Sequence, residues 1–304
     1  MGLSGQVALA AALALLASLA FAVATVAQQR AAQRSSDGEA RRFGFVGQLL
    51  RRPQWWAGTM GNGLGYAVQA VALGLGSLLI VEPILVTSLL FALPLGARLS
   101  HQRLPRAMWA WAVVLAASLG VFVILGKPSL GISHASATGW LVVSAIGVPI
   151  LVICLVVAQP RSGTPRAALL AVAVGLLAGV LAVLTKAVAA TAGHGIVAVL
   201  SSADLYALIA VGAAGIYLQQ LAFQAGALQA SLPVIAVLEP MVAAGLGLTL
   251  LHENLQASGF ALAALIVAAL AMTLATVALA RGTARSQAPA PVPAAVPAEL
   301  SVAA

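Results

Sequence analysis

The sequence predicts an all-α integral membrane protein of about nine transmembrane helices, arranged as an inverted repeat of five plus four. Three observations lead there. The 304 residues are 62% hydrophobic and only 7% charged, with a mean hydropathy of +1.06, whereas a soluble domain needs about 25% charged residues. The apolar residues fall into runs long enough to cross a bilayer, about 20 residues each. Finally, residues 66–104 align without a gap on residues 217–255, at an offset of 151. Nine pairs in that alignment are identical, among them Tyr66/Tyr217, Gln69/Gln220 and His101/His252. A duplicated membrane segment is the sequence signature of a transporter fold.

In chain order the predicted spans are 3–27, 55–75, 78–98, 107–126, 138–158, 167–190, 204–223, 232–251 and 257–280. The first contains Ala20-Phe21-Ala22, which mimics a leader-cleavage site. It lacks a basic start, however, and its apolar run exceeds that of a leader, so it reads as a retained helix. A polar link follows, with Arg30, Arg34, Arg41, Arg42, Arg51 and Arg52. The second span carries Gly58, Gly61 and Gly65, a small-residue face suited to close helix packing. The third opens on Glu82-Pro83. The fifth holds Cys154, the sole cysteine, which excludes an intramolecular disulfide. The remaining links are short, as between antiparallel neighbours. Residues 1–280 thus form one polytopic domain, with halves at about 1–158 and 167–280, and residues 281–304 form an Ala- and Pro-rich tail expected to be disordered.

Positive charge sets the predicted orientation. The links after spans one, three, five and seven, together with the tail, hold thirteen of the fifteen Lys and Arg residues. Arginine is costly to translocate, so that side is cytoplasmic and the amino terminus is outside. The expected location is the plasma membrane. The net charge of +8 is thereby explained by topology, and nucleic acid is not expected as a partner. Tyr66 and Tyr217 lie five spans apart, and an odd difference reverses direction, which makes the repeat inverted. Adding 151 to span four lands on span nine, but adding it to span five lands in the tail. A tenth helix is missing.

Several stretches resemble the drug/metabolite transporter superfamily in its EamA-like branch, and more closely its members from high-GC Gram-positive bacteria. They are Thr25-Val-Ala-Gln-Gln-Arg30, Leu85-Val-Thr-Ser-Leu-Leu-Phe-Ala-Leu-Pro-Leu95, Leu184-Thr-Lys186, Leu218-Gln-Gln-Leu-Ala-Phe-Gln-Ala-Gly226, Leu238-Glu-Pro240 and His252-Glu-Asn-Leu255. The resemblance covers about residues 5–280. It implies ten helices in two inverted halves, from which this chain departs by lacking the last, and it implies transport without naming a substrate. The nine-span plan also resembles the NIPA-like magnesium transporters.

A charged side chain at a helix centre costs about 2.5–3.5 kcal/mol on insertion scales, so each one needs a reason. Glu239, next to Pro240 inside span eight, is the leading candidate for proton coupling. Glu82 and Lys186, at similar depth near the outer side, read either as an ion pair with each other or as coupling and gating groups. Tyr66, Gln69, Tyr217, Gln220 and Gln224 are the candidate cavity lining. Uncharged polar groups in lipid must find partners on another helix or on a ligand, and the repeat matches Tyr and Gln in both halves. Asp204 and Glu253 read as solvated span ends. The four histidines have no metal-ligand spacing, and no nucleophile–base constellation is present in the sequence. No metal, cofactor or enzymatic activity is therefore expected.

These readings converge on a secondary transporter for a small metabolite or drug-like solute, working by alternating access with Glu239 exchanging a proton. The first alternative is a divalent-cation permease. Glu82 and Glu239 start at opposite depths in their spans, which argues against a compact carboxylate cage. The second alternative is a membrane scaffold that transports nothing. The expected partners are the lipid bilayer and a small-molecule solute, with a homodimer left open.

Overall fold

The computed structural model describes residues 3–33, 53–99, 105–126, 129, 131–225 and 228–286. Its elements are helices: α1 (Leu3–Gln33), α2 (Pro53–Leu75), α3 (Leu78–Leu85), α4 (Ser88–Leu99), α5 (Arg106–Gly126), α6 (Ala137–Ala158), α7 (Gly163–Ala192), α8 (Ile196–Ser201), α9 (Ala203–Ala225), α10 (Leu228–Thr249) and α11 (Phe260–Ser286). Among the described residues, eight spans are long and apolar enough to cross a membrane, α3 and α4 counting together as one. The chain is a multi-pass helical membrane protein.

The elements depart from the predicted spans in four places. The helix of the first span continues through Gln33, so what was read as the start of the polar link is helical. The third span is broken into α3 and α4 by a turn at Val86–Thr87. The turn is closed locally: Thr87 N–H donates to the Ile84 carbonyl at 2.9 Å, the Thr87 hydroxyl donates to the same carbonyl at 2.6 Å, and its oxygen lies 3.0 Å from the Ser18 hydroxyl of α1. The short helix α8 sits in the link before α9, where no element was expected. Helix α11 runs past the predicted boundary at 280 to Ser286, while residues 287–304 lie outside the described residues.

Helix α2 carries Gln54, Asn62, Tyr66, Gln69 and several glycines and is not among those eight. Its 23 residues still extend about 34 Å at 1.5 Å per residue. It runs antiparallel to α1, with Gly76 against Ala10, Gly65 against Phe21 and Gly61 against Ala24. On its other side α1 packs on α3 and α4. Helix α7 is the centre of an equivalent arrangement, packed on α9 and on α10. The α7–α10 approach is close: a Cβ at Gly175 would lie 2.5 Å from Leu238 Cβ, and one at Gly179 would lie 2.5 Å from Val242 Cγ1. Only a residue without a side chain fits at either point. Between these groups α5 packs on α11, and α3 packs on α10.

The main core cluster lies where the groups meet. Leu73, Leu78, Val81 and Ile84 are buried against Ala182, Val183, Ala243 and Leu251. Outward faces remain apolar, with Leu141, Ile146 and Ile153 exposed on α6 and Ile266, Leu270 and Leu274 on α11. That is the surface a bilayer requires, since lipid rather than water surrounds it.

Candidate functional site

Helix α3 organises two buried acidic centres, one at its amino-terminal end and one on its side. At the end, Ser77 caps the helix with its side chain accepting from Leu79 N–H at 3.0 Å. The first amides of any helix lack intrahelical partners and attract negative charge. Here the negative charge is Glu253, which is fully buried. Its Oε1 accepts from Leu78 N–H at 3.0 Å, and its Oε2 accepts from the Ser77 hydroxyl at 2.6 Å and from Leu79 N–H at 3.2 Å. Lys186 Nζ, on α7, completes the set with an ion pair to Oε1. The carboxylate and its donors are all shielded from solvent.

The chain beyond α10 is shaped to deliver that carboxylate. His252 takes a left-handed backbone conformation with φ +53, a common way for a helix to end, and Glu253 N–H returns to the Gly247 carbonyl at 2.9 Å. A Cβ at Gly247 would sit 2.9 Å from Glu253 Oε2, so this glycine leaves room for the carboxylate. The link between α5 and α6 closes over the same place. Ser129 N–H donates to the Asn254 carbonyl at 2.8 Å, Asn254 N–H donates to Ser129 Oγ at 2.9 Å, and Ile132 N–H donates to the Leu251 carbonyl at 2.8 Å. His134 Nδ1 lies 3.1 Å from Asp204 Oδ2 at the start of α9. Residues 76–77, 131–136, 193–202 and 250–259, with Ser129, therefore share one face of the bundle.

About one turn further along α3 lies the second centre. Glu82 is 2% exposed and accepts from Gln69 Nε2 of α2 at 3.2 Å. Tyr66 lies one turn before Gln69 on the same helix, its ring edge-on to Phe21 with centroids 4.9 Å apart. Glu239 of α10 reaches the same region, near enough for its charge to act on both Glu82 and Tyr66. The close α7–α10 approach at Gly175 and Gly179 fixes the backbone that carries it. Two carboxylates, a phenol and an amide thus converge beside the break in the third span.

A protein of Corynebacterium glutamicum, described as uncharacterised, is 37% identical to this chain over 275 residues, covering 90% of this chain and 95% of that protein. The chain belongs to that protein's family. No family model matches the chain. No solved structure matches it either. Because the similarity runs nearly end to end, it concerns the whole multi-pass bundle and not a fragment of it.

For this family member, several sequence expectations need revision. Of the two readings of Lys186, the ion pair expected with Glu82 from their similar depth is made with Glu253. Glu253 was read as a solvated span end, and it is fully buried because the chain folds back at His252. Asp204, read the same way, does lie at a span end, in the first turn of α9 and partly exposed, with His134 Nδ1 3.1 Å away. Glu82 and Glu239 were assigned opposite depths. Helix α10 begins at Leu228, earlier than the apolar run suggests, so Glu239 falls at its middle and comes within reach of Glu82.

The matched polar residues are not used alike in the two halves. Gln69 is buried and bonded, whereas Gln220 is exposed. Tyr66 and Tyr217 are 53% and 64% exposed, but Tyr66 neighbours both carboxylates while α9 packs chiefly on α7. Gln224 lies on α9 outside the residues whose side chains are described. The partnership of Glu253 was beyond sequence reasoning: a buried lysine demands an acid, and the sequence offers more than one. The Gly175/Gly179 pair left a legible signal in its four-residue spacing, obscured by a glycine-rich background.

Proposed function

We propose that the chain is a secondary transporter of the EamA-like drug/metabolite kind, moving a small metabolite or drug-like solute across the plasma membrane by alternating access. The observation that carries this reading is the convergence of Glu82, Glu239, Tyr66 and Gln69 beside the broken helix α3–α4. Glu82 is buried and Glu239 partly so, and acids that lack, among the described residues, a full set of fixed donors are available to exchange protons or to hold a positively charged group. Glu239 is the proton-coupling residue in this reading, and Gln69 holds Glu82 in place.

The architecture in this proposal has nine crossings, counting α2, as an inverted repeat of five plus four with the amino terminus outside. Support comes from the packing pattern. α1 lies against α2 and α3–α4 as α7 lies against α9 and α10, and the cross-contacts α5–α11 and α3–α10 join elements that the 151-residue offset equates. The face shared by the even-numbered links is also the face poor in Lys and Arg, in keeping with an external side.

The test is flux in proteoliposomes. A thermal-shift screen over organic anions, amines and magnesium identifies the solute. A pH gradient then drives its uptake through the parent protein, and Glu239→Gln removes that uptake while leaving a folded, monodisperse protein. Gradient-driven flux that survives Glu239→Gln defeats the coupling role. One observation favours the divalent-cation permease as a second reading, namely that Glu82 and Glu239 share a neighbourhood after all. Hard cations prefer several oxygen ligands, so a magnesium flux requiring both acids would decide for it.

A further inference from the structure

We propose that Glu253 and Lys186 form the latch that closes one mouth of the bundle, and that opening this mouth requires Glu253 to leave the amino-terminal end of α3. The inference rests on the alternating-access reading and goes beyond it, since the latch is separate from the Glu82–Glu239 cluster.

The argument begins with which parts of the chain the latch joins. Glu253 and Lys186 belong to the second half of the sequence, and Ser77, Leu78 and Leu79 to the first. The loop over them repeats the pattern, with Ser129 and Ile132 of the first half bonded to Asn254 and Leu251 of the second. At this face the halves are thus held by the polar bonds to Glu253 and, around it, by those of the covering loop and the His134–Asp204 contact. Beneath the carboxylate the core is apolar: Leu78, Val81, Ala182 and Leu251 are all 3% exposed or less. Such a layer blocks passage of a polar solute while the latch is closed, and it offers no second set of polar bonds between the halves.

The latch is also built to be undone as a unit. Its acid is carried by a turn following α10, not by the helix itself, and that turn pivots on the left-handed residue His252. Moving this turn releases the three donors at the start of α3 and the Lys186 ammonium together. The covering loop moves with it, because Gly131, at φ +59, is packed against the Leu251 carbonyl and Glu253 Cγ. A carboxylate needed only to neutralise Lys186, within its own half, has no need to reach across to the amides and hydroxyl of the other half over an apolar plug.

The test reads accessibility and needs no solute. In a Cys154→Ser background, Ala182→Cys places a thiol one turn below Lys186, where the parent residue is 3% exposed. A membrane-impermeant maleimide is applied separately to intact cells and to inside-out vesicles. With the latch intact, labelling from the cell exterior is slow. Glu253→Gln, which removes the ion pair, raises that rate by about tenfold or more and leaves the rate in inside-out vesicles unchanged or lower. Gly131→Ala loosens the covering loop without altering any charge and raises the exterior rate by about two- to threefold. It also serves as the deciding variant should Glu253→Gln not fold. Parental labelling rates in the folded variants, or faster labelling from the vesicle side, overturn the latch. Exterior labelling that rises in a protein with no proton-driven flux counts against the transporter reading alone. Flux that persists with labelling unchanged counts against the latch alone.

Discussion

Glu253 and Glu82 are both almost completely buried and lie about one helical turn apart along α3, yet their surroundings treat them differently. Glu253 is surrounded by donors: two backbone amides, a hydroxyl and an ammonium. Glu82, among the described residues, accepts from Gln69 and has a second acid for a neighbour. A carboxylate whose oxygens are fully engaged is fixed in place and acts as a fastening. One that is partly engaged keeps the capacity to take a proton or a cation. The same residue type beside the same helix is thus fully engaged in one place and partly engaged in the other, and the number of donors makes the difference.

The strongest way to break this comparison is to remove the ammonium. Lys186→Met leaves a buried, uncompensated carboxylate, at a cost of about 3–5 kcal/mol, seen as a large drop in melting temperature or loss of folded protein in detergent. Combining it with Glu253→Met restores most of the stability, because two packed apolar side chains replace the pair. Additive losses in that double variant would show that the two residues act separately. Next in size is the contrast between the acids themselves. Glu253→Gln destabilises by about 1–3 kcal/mol, since its donors lose a charged acceptor. Glu82→Gln leaves stability within about 1 kcal/mol, because neutralising a poorly compensated buried charge offsets the lost bond. Equal melting shifts for the two would erase the distinction drawn above.

Gly179→Ala falls in a similar range for a different reason. The added carbon meets Val242 and overpacks the α7–α10 contact, costing about 1–3 kcal/mol and displacing the helix that carries Glu239. Melting temperature and proton-driven flux should fall together. The smallest effect is expected at Tyr217 and Gln220, exposed on α9. Tyr217→Ala and Gln220→Ala should change stability by less than about 0.5 kcal/mol, whereas Gln69→Ala, which strips Glu82 of its donor, should cost about 1–3 kcal/mol. If flux through Tyr217→Ala and Gln220→Ala stays at the parental level while Gln69→Ala loses it, the solute pathway is one-sided with respect to the repeat. Equal losses would make the matched residues a shared cavity.

The class of the protein was legible in the sequence because it depends on local properties. Hydropathy and run length define the spans, and helix ends fall within a few residues of those runs; that Glu82, Lys186 and Glu239 each need a reason to lie in a span follows from their cost in lipid alone. The division of labour among the acids was decided only in three dimensions. Ser77 and Glu253 are 176 residues apart in the chain, and Lys186 and Glu253 are 67 apart. Bringing them together depends on how α3, α7 and α10 pack, on a backbone turn at His252 and on the missing side chains at Gly175, Gly179 and Gly247. The same holds for Gln69 and Gln220, matched in sequence yet one buried and one exposed, since the face a helix turns inward is set by its neighbours. Burial in lipid is a property of a segment, whereas compensation of a charge is a property of the packed whole.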